Sequence, residues 1–269
     1  MDLQALPEGC IANILSLTTP LDAMRHSLIS RTFYSASESD SVWEHFLPSD
    51  LESIISDSHQ FSSLIAAYPS KKALYLHLSD QPLLIDHGRK SFQLEKRTGK
   101  KCYMIAAGDL TIIWGNTQRY WNWIILPESR FQEVARLVDV CWFEIFGKIS
   151  TMKLSSGTQY AAFLVFKMMG ARGFQYYPTE LTVGIVGETT SYTRSVCLDP
   201  SLEEGHLDHR FQGLDRPTER SDGWLEIEMG DFFNLGLEDE VCMKAIEITS
   251  GVWKRGFVLQ GIEVRPKIV

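Results

Sequence analysis

The hydrophobic period of this chain changes near residue 100, and that change limits the possible folds more than any other feature. Before it, apolar residues recur every three or four positions, as in Ile11, Ile14 and Leu15, which is typical of an amphipathic helix. Beyond it, apolar and polar residues alternate, as in residues 225–229. The sequence therefore predicts a helical module followed by a β-rich domain.

The first sixty residues read as four short helices. The first covers residues 6–15, and Thr19 followed by Pro20 can cap and open the second. A third segment spans residues 31–39, and Asp40 or Ser41 can cap a fourth. Helices this short are marginal without tertiary packing. The module therefore either docks on a partner or packs as a helical subdomain on the rest of the chain.

The second half carries many short strands separated by Gly, Pro and Asp turns. The predicted strands are 110–114, 120–126, 138–149, 160–167, 181–186, 194–198, 224–229, 241–249 and 257–264, with a helical turn at 127–135. This pattern indicates an antiparallel β-sandwich. The expected fold class is thus α+β by module, a small helical domain before a jelly-roll-like sandwich.

The module boundaries are expected at residues 1–48, 49–99 and 100–269. The middle segment is predicted to be a helical or irregular connector that packs on the second domain, with one or two helices in 50–70. It contains no low-complexity linker.

Composition excludes several classes of protein. A formal net charge of −8, with nine acidic residues and two arginines in the first sixty, argues against a nucleic-acid backbone binder. The basic run at 96–101 is interpreted as a solvated turn. No apolar run approaches the ~18–20 residues of a membrane span, and the N-terminal residues are unlike a secretory signal. Five widely spaced cysteines indicate reduced thiols in a cytoplasmic or nuclear protein.

No catalytic set emerges from the sequence. It lacks a Gly-x-Ser-x-Gly elbow, a phosphate-binding glycine loop and a Cys-x-x-Cys pair. His206 and His209 are interpreted as parts of a solvated loop rather than as metal ligands, and Glu226 and Glu228 as residues of an exposed strand face. We therefore expect no enzyme, no cofactor and no metal.

An aromatic cluster is the strongest signal of a binding site. Residues 114–123 hold three tryptophans, Trp114, Trp121 and Trp123, interleaved with Asn, Gln and Arg. Flat rings beside amides suit a sugar, whose apolar C–H faces stack on aromatic side chains. Core packing is the competing interpretation, and the residues alone leave both open.

The N-terminal segment resembles an F-box. The likeness rests on Leu-Pro-Glu-Gly-Cys-Ile at 6–11 and Ser-Asp-Ser-Val-Trp-Glu-His-Phe-Leu-Pro at 39–48, in the correct order over residues 3–48. It implies docking to the Skp-type adaptor of a cullin–RING ubiquitin ligase. By motif, the adaptor contact is lined by Leu6, Pro7, Ile11, Ile14 and Leu15. Residues 24–27 depart from the usual small apolar pattern, which implies weaker docking.

Residues 100–266 resemble the phloem protein 2 domain, the unit of a tobacco chito-oligosaccharide lectin. The match is carried by segments such as AAGDLTIIWGNTQRYWNW at 106–123 and GFVLQGIEVRP at 256–266. The resemblance implies a carbohydrate site that includes Trp114, Trp121, Glu240 and Glu247. Spacing adds Asn116 and Trp123 to that site. Gly108 stands where the family usually has Arg, and a shared fold does not fix a ligand.

Together these likenesses predict a substrate receptor of a Skp–cullin–F-box ubiquitin ligase that recognises a glycan or glycoprotein target. Two alternatives remain. The sandwich can bind protein directly without sugar affinity, or the chain can be a free-standing cytosolic lectin with a degenerate F-box.

Overall fold

A computed structural model describes residues 6–56, 67–187, 192–202 and 209–267. The chain divides into two compact units. The helical unit comprises Met1–His87 and Ser91–Cys102, and the sandwich unit comprises Gly88–Lys90 and Tyr103–Val269. The boundaries expected at 48/49 and 99/100, and the packing of the connector on the second domain, stay predictions.

The described helices of the helical unit are α1 (Glu8–Ser16), α2 (Pro20–His26), α3 (Arg31–Ser37), α4 (Asp40–Phe46), α5 (Leu51–Ile55) and α6 (Lys71–Asp80). Hydroxyl caps fix three of their starts, because Thr19, Ser30 and Ser70 each accept a backbone N–H from the first turn of the helix that follows. The four predicted F-box helices are confirmed. The predicted cap of α4 is wrong, since Ser39 occupies that position and makes no side-chain cap bond.

The core of the helical unit centres on Trp43, which is fully buried. Its indole Nε1 donates to the Ser37 carbonyl at 2.6 Å, and its ring lies 5.1 Å from that of Tyr75 on α6. Helix α6 lies in the connector, so this segment shares its core with the F-box helices. The rest of the predicted connector helices, residues 57–66, lies outside the described residues.

The described strands are β1 (Leu83–Ile85), β2 (Lys90–Leu94), β3 (Lys101–Ala106), β4 (Thr111–Ile112), β5 (Trp121–Ile124), β6 (Val134–Leu137), β7 (Phe143–Ser150), β8 (Thr158–Arg172), β9 (Thr179–Ile185), β10 (Tyr192–Val196), β11 (Thr218–Glu219), β12 (Leu225–Asn234), β13 (Glu240–Glu247) and β14 (Arg255–Pro266).

Two antiparallel sheets make up the sandwich unit, as predicted. One has the order β3-β14-β8-β12-β11, with β6 pairing β14 and β5 pairing β6, and the other has the order β10-β9-β13-β7-β4. Aromatic rings fill the core, and Phe143 of β7 packs edge-on against Phe174 at 5.4 Å and against Phe257 of β14 at 5.2 Å.

One local prediction about the strands is wrong, and several strands have no predicted counterpart. The segment 127–135 is not helical, because it turns and then enters β6. Strand β3 was not predicted, because all six of its residues are buried and no polar alternation marks it. Within the described residues, no helix is long and apolar enough to cross a membrane.

Candidate functional sites

Large apolar side chains reach solvent on the helical unit, at the turns that follow α1 and α2. Leu17 is 83% exposed and Leu28 is 85% exposed. Ile14, Ile29 and Tyr34 are also exposed. We call these five residues the apolar turn surface. Exposed apolar residues gathered in a small module are typical of a protein-binding site.

The predicted adaptor-contact residues differ in their exposure to solvent, and the contact itself stays a prediction. Ile11 and Leu15 are 1% exposed and belong to the core of the helical unit, because they lie on the face of α1 that packs against α3 and α4. Ile14 and Pro7 are exposed, and Leu6 is half-buried. Periodicity finds the apolar face of a helix but not the partner that the face packs against.

The second site lies on the loop between β4 and β5. Trp114 has a φ of +59°, which is an unusual backbone conformation for a bulky residue, and its ring is 43% exposed. Tyr120 lies beside it with ring centroids 5.0 Å apart, and the Arg119 guanidinium lies 5.7 Å from the Tyr120 ring. We call Trp114 and Tyr120 the aromatic platform. Sequence reasoning missed Tyr120, although it lies within the predicted aromatic cluster.

The other two tryptophans of the cluster face away from this platform or support it. Trp121 is 1% exposed and packs on Phe143 in the core at 6.5 Å, so its ring is not presented to solvent in this structure and its stacking on a ligand stays a prediction. Trp123 is half-buried, and its Nε1 donates to the Gly115 carbonyl at 3.2 Å. That bond holds the loop next to Trp114. Asn116 is exposed in the same loop.

The two predicted glutamates do not meet. Glu240 begins β13 and Glu247 ends it, so their Cα atoms are about 23 Å apart at ~3.3 Å per residue. Glu240 is exposed and pairs with Lys148 at 2.7 Å. Glu247 is buried and pairs with Lys254, whose side chain is fully buried. The two carboxylates therefore lie at opposite ends of one strand, and their part in a carbohydrate site stays a prediction.

Hydrogen bonds explain the ionisation of Glu247. Burial alone raises the pKa of this carboxyl, but bonds from Lys254 and from the backbone and hydroxyl of Ser250 outweigh it and hold the pKa below its usual value. A buried carboxylate with these partners anchors the loop after β13.

Metal chemistry finds no support in the described part of the chain, where no group of His, Cys, Asp and Glu is arranged to hold an ion. Of the histidine segment considered for metal binding, His209 is exposed, and residues 206–208 lie outside the described residues.

Comparison with known proteins identifies a family for each of the two modules. The family model described as Phloem protein 2 matches residues 100–266, and the F-box domain model matches residues 3–45. The chain is 46% identical over 263 residues to the putative F-box protein PP2-B2 of Arabidopsis thaliana, covering 97% of this chain and 82% of that protein. It is 45% identical over 266 residues to the F-box protein PP2-B10 of the same plant, covering 97% and 93%.

Likeness to solved structures is distant. The Podospora anserina GH26-CBM35 β-(1,4)-mannanase matches 62% of this chain and 28% of its own, with 9% identity and a TM-score of 0.34. A score of this size supports no conclusion about ligand or fold.

Proposed function

The chain belongs to the F-box proteins that carry a phloem protein 2 domain, and from this premise we propose that it is a substrate-receptor subunit of a Skp–cullin–F-box ubiquitin ligase. Both families are binding or adaptor domains rather than enzymes. The helical unit docks on the Skp-type adaptor, and the sandwich unit presents a glycan-bearing target to the ligase.

The apolar turn surface supports docking on the adaptor. F-box domains in general bind this adaptor, and Leu17 and Leu28 here are almost fully exposed. Burial of one leucine side chain stabilises a complex by about 2 kcal/mol, or about 30-fold in Kd. The two leucines together therefore supply about 1,000-fold of affinity.

A pull-down with purified adaptor tests this half of the proposal. The double variant Leu17→Asp/Leu28→Asp should lose adaptor capture and keep its thermal unfolding midpoint, because both side chains are exposed. A matched control is Leu235→Asp/Leu237→Asp, which changes two exposed leucines of the sandwich unit. Capture of the first variant at the wild-type level would refute the docking surface.

The aromatic platform supports carbohydrate recognition. The observation that best supports this half of the proposal is the positive φ of Trp114. Backbone strain of ~1–3 kcal/mol at a bulky exposed residue is typical of functional sites. The ring so displayed is flat, exposed and flanked by Asn116 and Arg119, which suits the C–H face and hydroxyls of a pyranose.

Calorimetric titration of the full chain with triacetylchitotriose tests the glycan half. Trp114→Ala should abolish the binding heat. Trp253→Ala is the matched control, because Trp253 is 50% exposed against 43% for Trp114 but lies outside the platform loop, and it should bind as the wild type does. Undiminished binding by Trp114→Ala would exclude the platform as the sugar site.

A second candidate function is direct recognition of a protein by the sandwich. Met152, Leu235 and Leu237 are exposed on neighbouring loops, and Phe233 is exposed near the end of β12. The Thr151 hydroxyl donates to the carbonyl of Leu237, and the Asn234 amide donates to the Thr151 carbonyl, so these loops are fixed to each other. A chain that captures its target after enzymatic removal of the target's glycans would favour this function over the lectin.

The proposed function implies that the protein is located in the cytoplasm or the nucleus. The five cysteines of the chain are free thiols, which suits the reducing environment of both compartments. A free-standing lectin would purify without adaptor and cullin, and co-purification of both would exclude that alternative.

A further inference from the structure

A separate pocket of about 330 Å³ lies on the sandwich unit, and Trp123, whose indole donates to the Gly115 carbonyl of the platform loop, forms part of its wall. Four short segments form its walls: 88–89, 106–108, Trp123 and 131–133. None of the residues of the aromatic platform lines it. Its volume is at the lower end of the ~300–1,000 Å³ of ligand pockets, which suits one small ring rather than a chain.

Gly108 opens this pocket. Its φ is not positive, so the backbone there accepts any residue and does not itself require glycine. A Cβ added at Gly108 would lie 3.9 Å from Cζ3 of Trp123, and atoms beyond it would cover the ring. The missing side chain therefore leaves an indole surface uncovered inside a concavity.

The walls are fixed before any ligand arrives. The Ala106 backbone N–H donates to the Arg89 carbonyl at 2.9 Å. Asp109 pairs with Lys90 at 2.7 Å and with Arg89 at 3.8 Å, which ties the 88–90 segment to the turn that contains Gly108. Preorganised walls reduce the entropy cost of binding.

The lining has the chemistry of a sugar site. Trp123 and Phe131 supply apolar walls, while Arg89, Gln132 and Glu133 supply donors and acceptors at the rim. The rim carries charges of both signs, because Arg89 is partnered by Asp109 and Glu133 is acidic. Such a rim favours a neutral polar ligand over an ion.

We propose that the Gly108–Trp123 pocket is a second saccharide subsite that takes a single neutral hexopyranose ring, independently of the aromatic platform. The inference rests on the proposed lectin function of the sandwich unit and adds a distinct site to it. Gly108 is the residue that determines how much space this site has for a ligand. One face of the sugar ring lies on Trp123, and its hydroxyls bond Glu133, Gln132 and Arg89.

Ligand-detected NMR on the full chain tests the subsite, with the methyl β-glycosides of glucose, galactose and N-acetylglucosamine as probes. Gly108→Leu fills the pocket, and Gly108→Ala is its matched control, because a methyl group at 3.9 Å is in ordinary contact and leaves most of the space. At least one glycoside should bind the wild type and the Ala variant, and binding to the Leu variant should fall at least tenfold. Glu133→Ala, an exposed change, should also weaken it and covers the case in which Gly108→Leu misfolds.

Trp114→Ala separates this subsite from the platform. If the pocket is independent, this variant loses triacetylchitotriose but still binds the methyl glycoside, and the Trp123 indole N–H signal still shifts on addition of the glycoside. Loss of both ligands in Trp114→Ala would overturn the second subsite while leaving the platform in place. Wild-type glycoside binding by Gly108→Leu, or no binding of any of the three probes by the wild type, would also overturn it.

Discussion

The buried ion pair between Glu247 and Lys254 offers the sharpest test of the site described above, because sequence resemblance placed Glu247 at the ligand while the structure buries it. The perturbation is Glu247→Gln, which removes the charge and keeps the shape. Lys254 then remains fully buried without its counter-ion, and its acceptors are the neutral amide oxygen at position 247 and the Val252 carbonyl at 3.0 Å.

The magnitude follows from the burial of both partners. Removal of one partner of a buried pair costs about 3–5 kcal/mol, because the other charge is left uncompensated. For a domain of this size, 1 kcal/mol lowers Tm by about 2–4 °C, so the expected decrease in Tm is about 6–20 °C. Glu240→Gln, at the exposed end of the same strand, removes a surface pair and should change stability by less than about 1 kcal/mol.

Thermal unfolding at pH 7 followed by circular dichroism measures the difference between these variants. A double variant, Glu247→Gln/Lys254→Met, should recover most of the lost stability, because it also removes the buried charge that is left unpaired in the single variant. Calorimetric titration with triacetylchitotriose, carried out below the melting transition, should give wild-type affinity for Glu247→Gln.

One result would refute this reasoning. If Glu247→Gln melts at the wild-type temperature and loses sugar binding, the carboxylate is a ligand residue that an open conformation exposes. A loss of both stability and binding that the double variant restores together would instead confirm that Glu247 acts only through the fold.

Other variants and conditions should behave as follows. The pKa of Glu247 is lower in the folded chain than its usual 4.5, so the stability from its ion pair is present above pH 4.5 and is lost as the pH falls through the folded pKa. The Tm of the Glu247→Gln variant should therefore fall less steeply than that of the wild type as the pH is lowered in this range. Trp121→Ala should cost about 3–5 kcal/mol in denaturant unfolding, since its ring fills the core. Trp114→Gly should raise stability by about 1 kcal/mol through relief of the positive φ while sugar binding disappears, as melting and calorimetry on the same sample will show. Trp43→Phe should cost the helical unit about 2 kcal/mol in urea unfolding, because the Ser37 carbonyl loses its buried donor.

Local signals in the sequence were enough to predict the four F-box helices. Thr19 before Pro20 is a start signal that depends on neighbouring residues alone, and α2 begins where it indicates. The segment before β6 shows the opposite case. Its residues suit a helical turn, but Ala135 and Arg136 pair with Leu259 and Val258 of β14, and that partner lies more than a hundred residues away. Strand pairing of this kind overrides local propensity.

The candidate sites were predictable in position but not in which side chain faces solvent. Alternation places Trp121 and Trp123 on one side of β5, yet it does not say which side of the strand meets the other sheet. The same limit applies to α1, where Ile11 and Ile14 belong to one apolar pattern but only Ile14 is exposed. Whether a side chain is buried depends on which elements the fold brings together. The hydrophobic pattern of a single helix or strand does not carry that information.

The burial of Trp121 nevertheless gives this residue a role at the site. The backbone of Trp114 stores strain of ~1–3 kcal/mol, and such a conformation persists only when neighbouring contacts hold it. Trp121 anchors one end of the loop in the core, and the bond from Trp123 to the Gly115 carbonyl fixes the residue next to Trp114. Trp121 is therefore a positioning residue of the platform. It follows that Trp121→Phe, which keeps an aromatic ring in the core but leaves a gap, should weaken triacetylchitotriose binding more than it lowers Tm, whereas a purely structural tryptophan would change Tm and leave the affinity of the folded fraction intact.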